Sequence, residues 1–253
     1  MKLLAVNIGN TSFSAAMISD RRIVARAGIP TGYVSSKRGV RALLKSLKDE
    51  ARFLPDAICV SSVVPSVEGK CRAACVGLFS LKPLFASHEN IGMKIRGYDT
   101  KNIGPDRLLC SMAAYDKYRD ALIVIDAGSC ITIDAVSKRG EFLGGAILPG
   151  IEISLSALQG RTERLPRVKF KKSRSPVGKD TEGCILSGIN FGIAGAIENI
   201  ISKISTKMEA APLIVVTGGD AEAIFTLYSG SAFLERDLIF EGLVTFARRT
   251  CTV

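Results

Sequence analysis

Two short stretches of this chain join a glycine to side chains that handle anions and cations. Asn7-Ile8-Gly9-Asn10-Thr11 follows one apolar run, and Asp126-Ala127-Gly128-Ser129-Cys130 follows another, 119 positions later. A glycine at a strand-to-strand turn removes the Cβ, so backbone N–H groups come close enough to converge on phosphate oxygens. A carboxylate beside such a turn holds a cation and its waters; Asp126 supplies one, whereas Asn7 supplies an amide. Gly104-Pro105-Asp106-Arg107 sets an acid beside a base. The carboxylate accepts a proton from an attacking hydroxyl, and the guanidinium holds a carboxylate or phosphate through paired hydrogen bonds. Gly218-Gly219, between an apolar run and a helix-like stretch, leaves backbone open to a flat ring such as adenine. Each feature also has a plainer reading: hairpin glycines, a helix cap with a surface charge, an ordinary strand-to-helix loop.

The elements that must position these residues alternate between strand and helix. Residues 3–6 and 12–18 read as strand, turn and strand around Gly9, and residues 122–125 and 131–136 repeat that unit around Gly128. Residues 57–64 form a buried-type strand ending at Pro65, residues 67–79 have helical spacing, and a helix-like stretch covers 108–118. Residues 214–216 end at Thr217, before a helix over 221–227. A repeat at this distance is about one small domain. The expectation is a duplicated α/β chain, with one half over residues 1–114 and the other over 115–253.

At 253 residues and 47% hydrophobic content, the chain is long enough for two cores. A net charge of +10 favours anionic partners without choosing among nucleic acid, acidic membrane and phosphorylated small molecules. Much of the excess lies in residues 161–179, which read as a solvated loop. The seven cysteines are odd in number and mostly sit in apolar runs, which suits a reducing compartment. Cys71 and Cys75 have only His88 as a histidine partner in the whole chain, which makes a structural zinc site unexpected. No signal-peptide pattern opens the sequence, and no uninterrupted apolar run is long enough to span a bilayer. A cytoplasmic protein without membrane or nucleic-acid contacts is expected.

In this order the motifs resemble the type III pantothenate kinases, which phosphorylate the vitamin in the first step of coenzyme A synthesis. The resemblance spans nearly the whole chain. It rests on Asn7-x-Gly9-Asn10-Thr11, Ser61-Ser62-Val63-Val64-Pro65, Gly104-Pro105-Asp106-Arg107, Asp126-x-Gly128-Ser129 and Gly144-Gly145-x-x-x-Pro149-Gly150. Arg164-Leu165-Pro166, Gly178-Lys179-Asp180-Thr181, Ser187-Gly188, Thr217-Gly218-Gly219 and Glu241-Gly242-Leu243 complete it.

The resemblance implies two ribonuclease-H-like domains in tandem with ATP in an interdomain cleft, as in the acetate-kinase, sugar-kinase and actin superfamily. It also implies a homodimer with pantothenate near its interface. By position, Asp106 is similar to the general base, Gly104, Pro105, Asp106 and Arg107 to a pantothenate-contacting segment, and Tyr98 and Thr181 to further substrate contacts. Asn7, Ile8, Gly9, Asn10 and Thr11 resemble the first phosphate loop, Ser129 falls where the second loop meets ATP, and Gly218 and Gly219 match the adenine segment. Asp126 resembles the ligand of a monovalent cation, potassium or ammonium, that acts beside Mg²⁺. The family's first loop normally opens with Asp, where this chain has Asn7; Cys130 and Ile131 replace small and hydroxyl residues after the second. Two rivals remain: a kinase-fold regulator of the transcription accessory type with weak or no turnover, and a kinase for another small hydroxylated acid.

Overall fold

The computed structural model describes residues 1–35 and 37–251, and the chain divides into two compact units. One comprises Met1–Met93, Asp99–Ala113 and Leu238–Val253, the other Lys94–Tyr98 and Ala114–Asp237. This differs from a single cut after residue 114, because the C-terminal helix returns to the unit that opens the chain.

The first unit is built on a five-stranded sheet of order β3-β2-β1-β4-β5, from β1 (Lys2–Ile8), β2 (Ser12–Ser19), β3 (Arg22–Pro30), β4 (Ala57–Ser62) and β5 (Leu84–Phe85). The first three strands are antiparallel neighbours, and β4 and β5 add in parallel. Alternate residues of β1 and β2, from Leu4, Val6 and Ile8 to Phe13, Ala15 and Met17, point into one core. That core is closed by α1 (Lys37–Ala51), through Leu43, Leu44 and Leu47, and by α2 (Pro65–Phe79), through Val67, Cys71 and Cys75. On the other face, α7 (Leu238–Thr250) lies against β1 and β4 and buries Leu243, Phe246 and Ala247. α3 (Pro105–Tyr118) packs on α7 where Gly242 meets the Leu109 backbone, too close for a Cβ to fit between them.

The second unit repeats the plan. β6 (Leu122–Ala127), β7 (Cys130–Val136), β8 (Phe142–Pro149), β9 (Leu213–Thr217) and β10 (Phe233–Leu234) form a sheet of order β10-β9-β6-β7-β8. With the second-unit strands matched in chain order to those of the first, order and strand directions are the same in both. This is the ribonuclease-H-like arrangement, present twice in tandem. Both sheets even shift register at the same place, between Met17 and Ile18 and between Ala135 and Val136. Ile123, Ile125, Ile131, Ile133 and Val216 pack against α4 (Ile151–Gly160), α5 (Thr181–Ser205) and α6 (Ala221–Leu227). α5 has the length and composition of a membrane span, with a hydropathy of 1.5, yet Ile185, Leu186, Ile189, Ile197 and Ile201 are core residues.

Candidate active site

In the first unit, the turn between β1 and β2 is closed by the Gly9 N–H, which donates to the Ser12 carbonyl at 2.9 Å. A second fastening comes from Thr31, just past the end of β3. Its hydroxyl donates to the Gly9 carbonyl at 2.7 Å, and its N–H donates to the Thr11 carbonyl at 2.9 Å. Asn10, Thr11 and Ser12 stay exposed on this fixed turn. Asn7 ends β1 half-buried, in register with Ser61 of the parallel strand β4. Ser61 is fully buried, and its hydroxyl has no hydrogen-bond partner among the described residues.

The same end of the first sheet carries the acid and base. The Val63 N–H donates to the Ile8 carbonyl at 3.0 Å, so the segment after β4 is tied to the residue before Gly9. A Cβ on Gly104 would lie 3.6 Å from Val63 Cγ1 and would overlap Asp106 Oδ1. The Ser61–Pro65 and Gly104–Arg107 motifs, distant in sequence, therefore meet. Pro105 opens α3 with a preset φ, and Asp106 Oδ1 accepts the Arg107 N–H at 2.9 Å. Burial raises the Asp106 pKa above the ordinary carboxylate value, opposed by that N–H and by the Arg107 charge. Arg107 itself is 7% exposed.

In the second unit, the Gly128 N–H donates to the Cys130 carbonyl at 3.0 Å, and the Gly150 N–H donates to the Ser129 carbonyl at 2.9 Å. A Cβ on Gly150 would collide with the Gly128 and Ser129 carbonyls, so only glycine fits where β8 hands over to α4. Gly218, at φ +102°, lies against Asp126 and the Ala127 carbonyl with no room for a side chain. The Asp220 N–H donates to that carbonyl at 2.9 Å, and Thr217, 2% exposed, pairs with Asp126 in register. Asp126, Ser129, Gly218 and Gly219 are thus brought together at one end of β6. Burial, followed by the charge of Glu152, raises the Asp220 pKa, which marks this end of the sheet as acidic.

The remaining expected residues lie elsewhere in the second unit. Tyr98 stands edge-on to Phe142, with ring centroids 5.6 Å apart, and its ring lies against Gly144. That places it five residues along β8 from Pro149, on the order of 17 Å from the Gly128 turn. Thr181 is exposed in the first turn of α5, behind the Asp180 cap, whose carboxylate accepts the Gly183 N–H at 2.6 Å. The basic segment before it is irregular but fastened to α5: Asn190 Oδ1 accepts the Ser173 N–H at 3.1 Å, and Ser187 donates to the Pro176 carbonyl at 2.6 Å. Sequence reasoning missed Thr31, Glu152 and Asp220 as residues of these turns, and took Ser61 and Gly150 only as parts of motifs. Asp220 sits one residue past Gly219, which was read, and only pairing in space reveals the work of Thr31 and Asp220.

The chain matches the type III pantothenate kinase family over residues 3–203. A type III pantothenate kinase of Desulfatibacillum aliphaticivorans is 36% identical over 246 residues, covering 95% of this chain and 96% of that protein. Another, from Anaeromyxobacter sp. (strain K), is 34% identical over 245 residues with the same coverage. Among solved structures, a Campylobacter jejuni protein described as a Baf family transcriptional activator superimposes with a TM-score of 0.62, at 21% identity and 97% coverage of both chains. At that identity the likeness concerns the fold alone. The two glycine turns, the Gly104–Arg107 helix start and the end-to-end match with these relatives lead to one assignment: the chain belongs to the type III pantothenate kinase family.

Proposed function

We propose that this protein transfers the γ-phosphoryl group of ATP to the primary hydroxyl of pantothenate, giving 4′-phosphopantothenate, the first step of coenzyme A synthesis. The observation that carries this reading is the Asp106 carboxylate, held at the start of α3 on the same end of the first sheet as the Gly9 turn. The residues present suit the group: glycine turns with exposed flanks, a buried Ser61 hydroxyl without a partner among the described residues, and the Asp126 carboxylate. MgATP, when bound, supplies the transferable phosphoryl group.

Asp106 takes the proton from the attacking hydroxyl onto its carboxylate, and its raised pKa makes it a stronger base than a surface aspartate. Arg107 orients the vitamin's carboxylate; Tyr98, Gly104, Pro105 and Thr181 are further contacts assigned by resemblance. Asn7, Ile8, Gly9, Asn10 and Thr11 offer backbone N–H groups and short polar side chains to phosphate oxygens, as does Ser129. Gly218 and Gly219 would hold the adenine, and Asp126 would hold potassium or ammonium. Phosphoryl transfer needs positioning and charge stabilisation, with no covalent intermediate required.

The protein acts in the cytoplasm as a homodimer. Support for the dimer comes from α5, where Gly188, Gly192 and Gly195 have open space above them and Phe191 is 45% exposed, so a second helix can approach closely. Sedimentation should give twice the chain mass, and Gly192→Arg should give monomers. For the activity, purified protein is incubated with ATP, Mg²⁺, K⁺ and pantothenate, and phosphopantothenate is sought by mass spectrometry. Absence of product at every substrate concentration sinks the assignment, while product from another hydroxy acid in a substrate panel redirects it.

A further inference from the structure

At the other end of the second sheet, away from the Gly128 turn, lies a cavity of about 150 Å³. It opens between the start of β6 at Ala121, the β7–β8 turn at Ser137 and Lys138, and the segment Lys207 to Ala210 that leads into β9. Its wall is apolar, through Leu143, Met208 and Ala121, and its rim is cationic, through Arg96, Lys138 and Lys207.

The charge is not balanced locally. Among the described residues, the Lys138 and Lys207 ammonium groups have no carboxylate within ion-pair distance. Arg96 is shared between Glu141 at 3.7 Å and Glu209 at 3.6 Å, and Glu141 already holds Lys94 at 2.7 Å. Three cations around one concavity, with Glu209 as the single carboxylate on its lining, produce a focused positive potential. The turn bearing Lys138 is fixed: the Ser137 hydroxyl accepts the Glu141 N–H at 3.1 Å, and the Ser137 N–H donates to the Glu141 carbonyl at 2.9 Å. The Arg96 N–H donates to the Phe142 carbonyl at 2.9 Å, which anchors the other side of the rim.

We propose that this cavity is a second anion site, taking a phosphate monoester with a short aliphatic body. A dianionic head matches the excess of positive charge, and the apolar wall covers a few carbons. The volume is well below the ~300–1,000 Å³ of pockets that hold drug-sized ligands, which excludes a whole nucleotide. The site stands independently of the kinase reading, since it shares no residue with the glycine turns.

The test is isothermal titration of the intact protein with glycerol 3-phosphate and, separately, inorganic phosphate. Wild type should bind one glycerol 3-phosphate per chain, more tightly than inorganic phosphate, with no displacement by a nonhydrolysable ATP analogue. Lys138→Glu with Lys207→Glu should weaken binding at least tenfold, and Lys138→Gln with Lys207→Gln should weaken it less, with thermal melts confirming that both variants fold. No binding, unchanged binding in the reversed-charge variant, or displacement by the ATP analogue overturns the site. Equal binding of phosphate and its ester overturns the assignment of an aliphatic body.

Discussion

Gly104 and Asp106 are fitted to each other: the carboxylate of one fills the space where a side chain on the other would stand. The acid is thereby held against its own helix start, where Oδ1 takes the Arg107 N–H and cannot swing freely.

Asp106→Asn should lower kcat by about 10²–10⁴-fold, the usual contribution of a positioned general base. Thermal stability at neutral pH should rise at the same time. Because burial raises this carboxyl in the folded state, its stabilising contribution is present below the unfolded pKa and is lost as pH rises through the folded value. Removing the charge removes that cost. The wild-type pH profile of kcat/KM should fall on the acid side with an apparent pKa above that of an ordinary aspartate. Steady-state kinetics and calorimetry check both; a variant that loses stability at neutral pH contradicts the burial argument.

Gly150→Ala should disturb the second turn, Ser129 included, without touching any expected pantothenate contact. The new methyl group must push aside the Gly128 and Ser129 carbonyls, at about 1–3 kcal/mol for overpacking. The expected result is a lower melting temperature with a KM for ATP raised more than the KM for pantothenate. Equal changes in both constants would separate Gly150 from nucleotide binding.

Thr31→Val keeps the shape and deletes one hydroxyl, leaving the Gly9 carbonyl without its 2.7 Å donor. A loss of about 1 kcal/mol in stability is expected from denaturant titration. The first turn should loosen as well, raising the KM for ATP a few-fold at constant kcat.

Asn7→Asp places a negative charge at the end of β1, in register with Ser61, whose buried hydroxyl has no partner among the described residues. The Mg²⁺ concentration needed for half-maximal rate should fall by about tenfold, equivalent to ~1.4 kcal/mol. An unchanged magnesium titration would show that residue 7 does not limit metal use.

The repeat was legible because the apolar run before each turn and the glycine within it are short-range signals. Asn7 and Asp126 are 119 positions apart, but their register partners on the following strands, Ser14 and Thr132, are 118 apart. The second turn is one residue tighter, a detail that motif spacing alone does not show. The third strands, β3 and β8, escaped notice because each mixes exposed and half-buried positions and lacks a clean apolar run. Their ends matter all the same, since Thr31 and Gly150 fasten the two turns. The return of α7 to the first sheet was equally hidden: an amphipathic stretch shows that one face is buried and leaves its host unspecified.

That return has a consequence for synthesis. During synthesis, the whole segment folding as the second unit is translated before α7, the helix that lies against β1 and β4 of the first sheet. The earlier-made layer is therefore closed by a later-made helix, so a premature stop codon near residue 238 harms the part translated first.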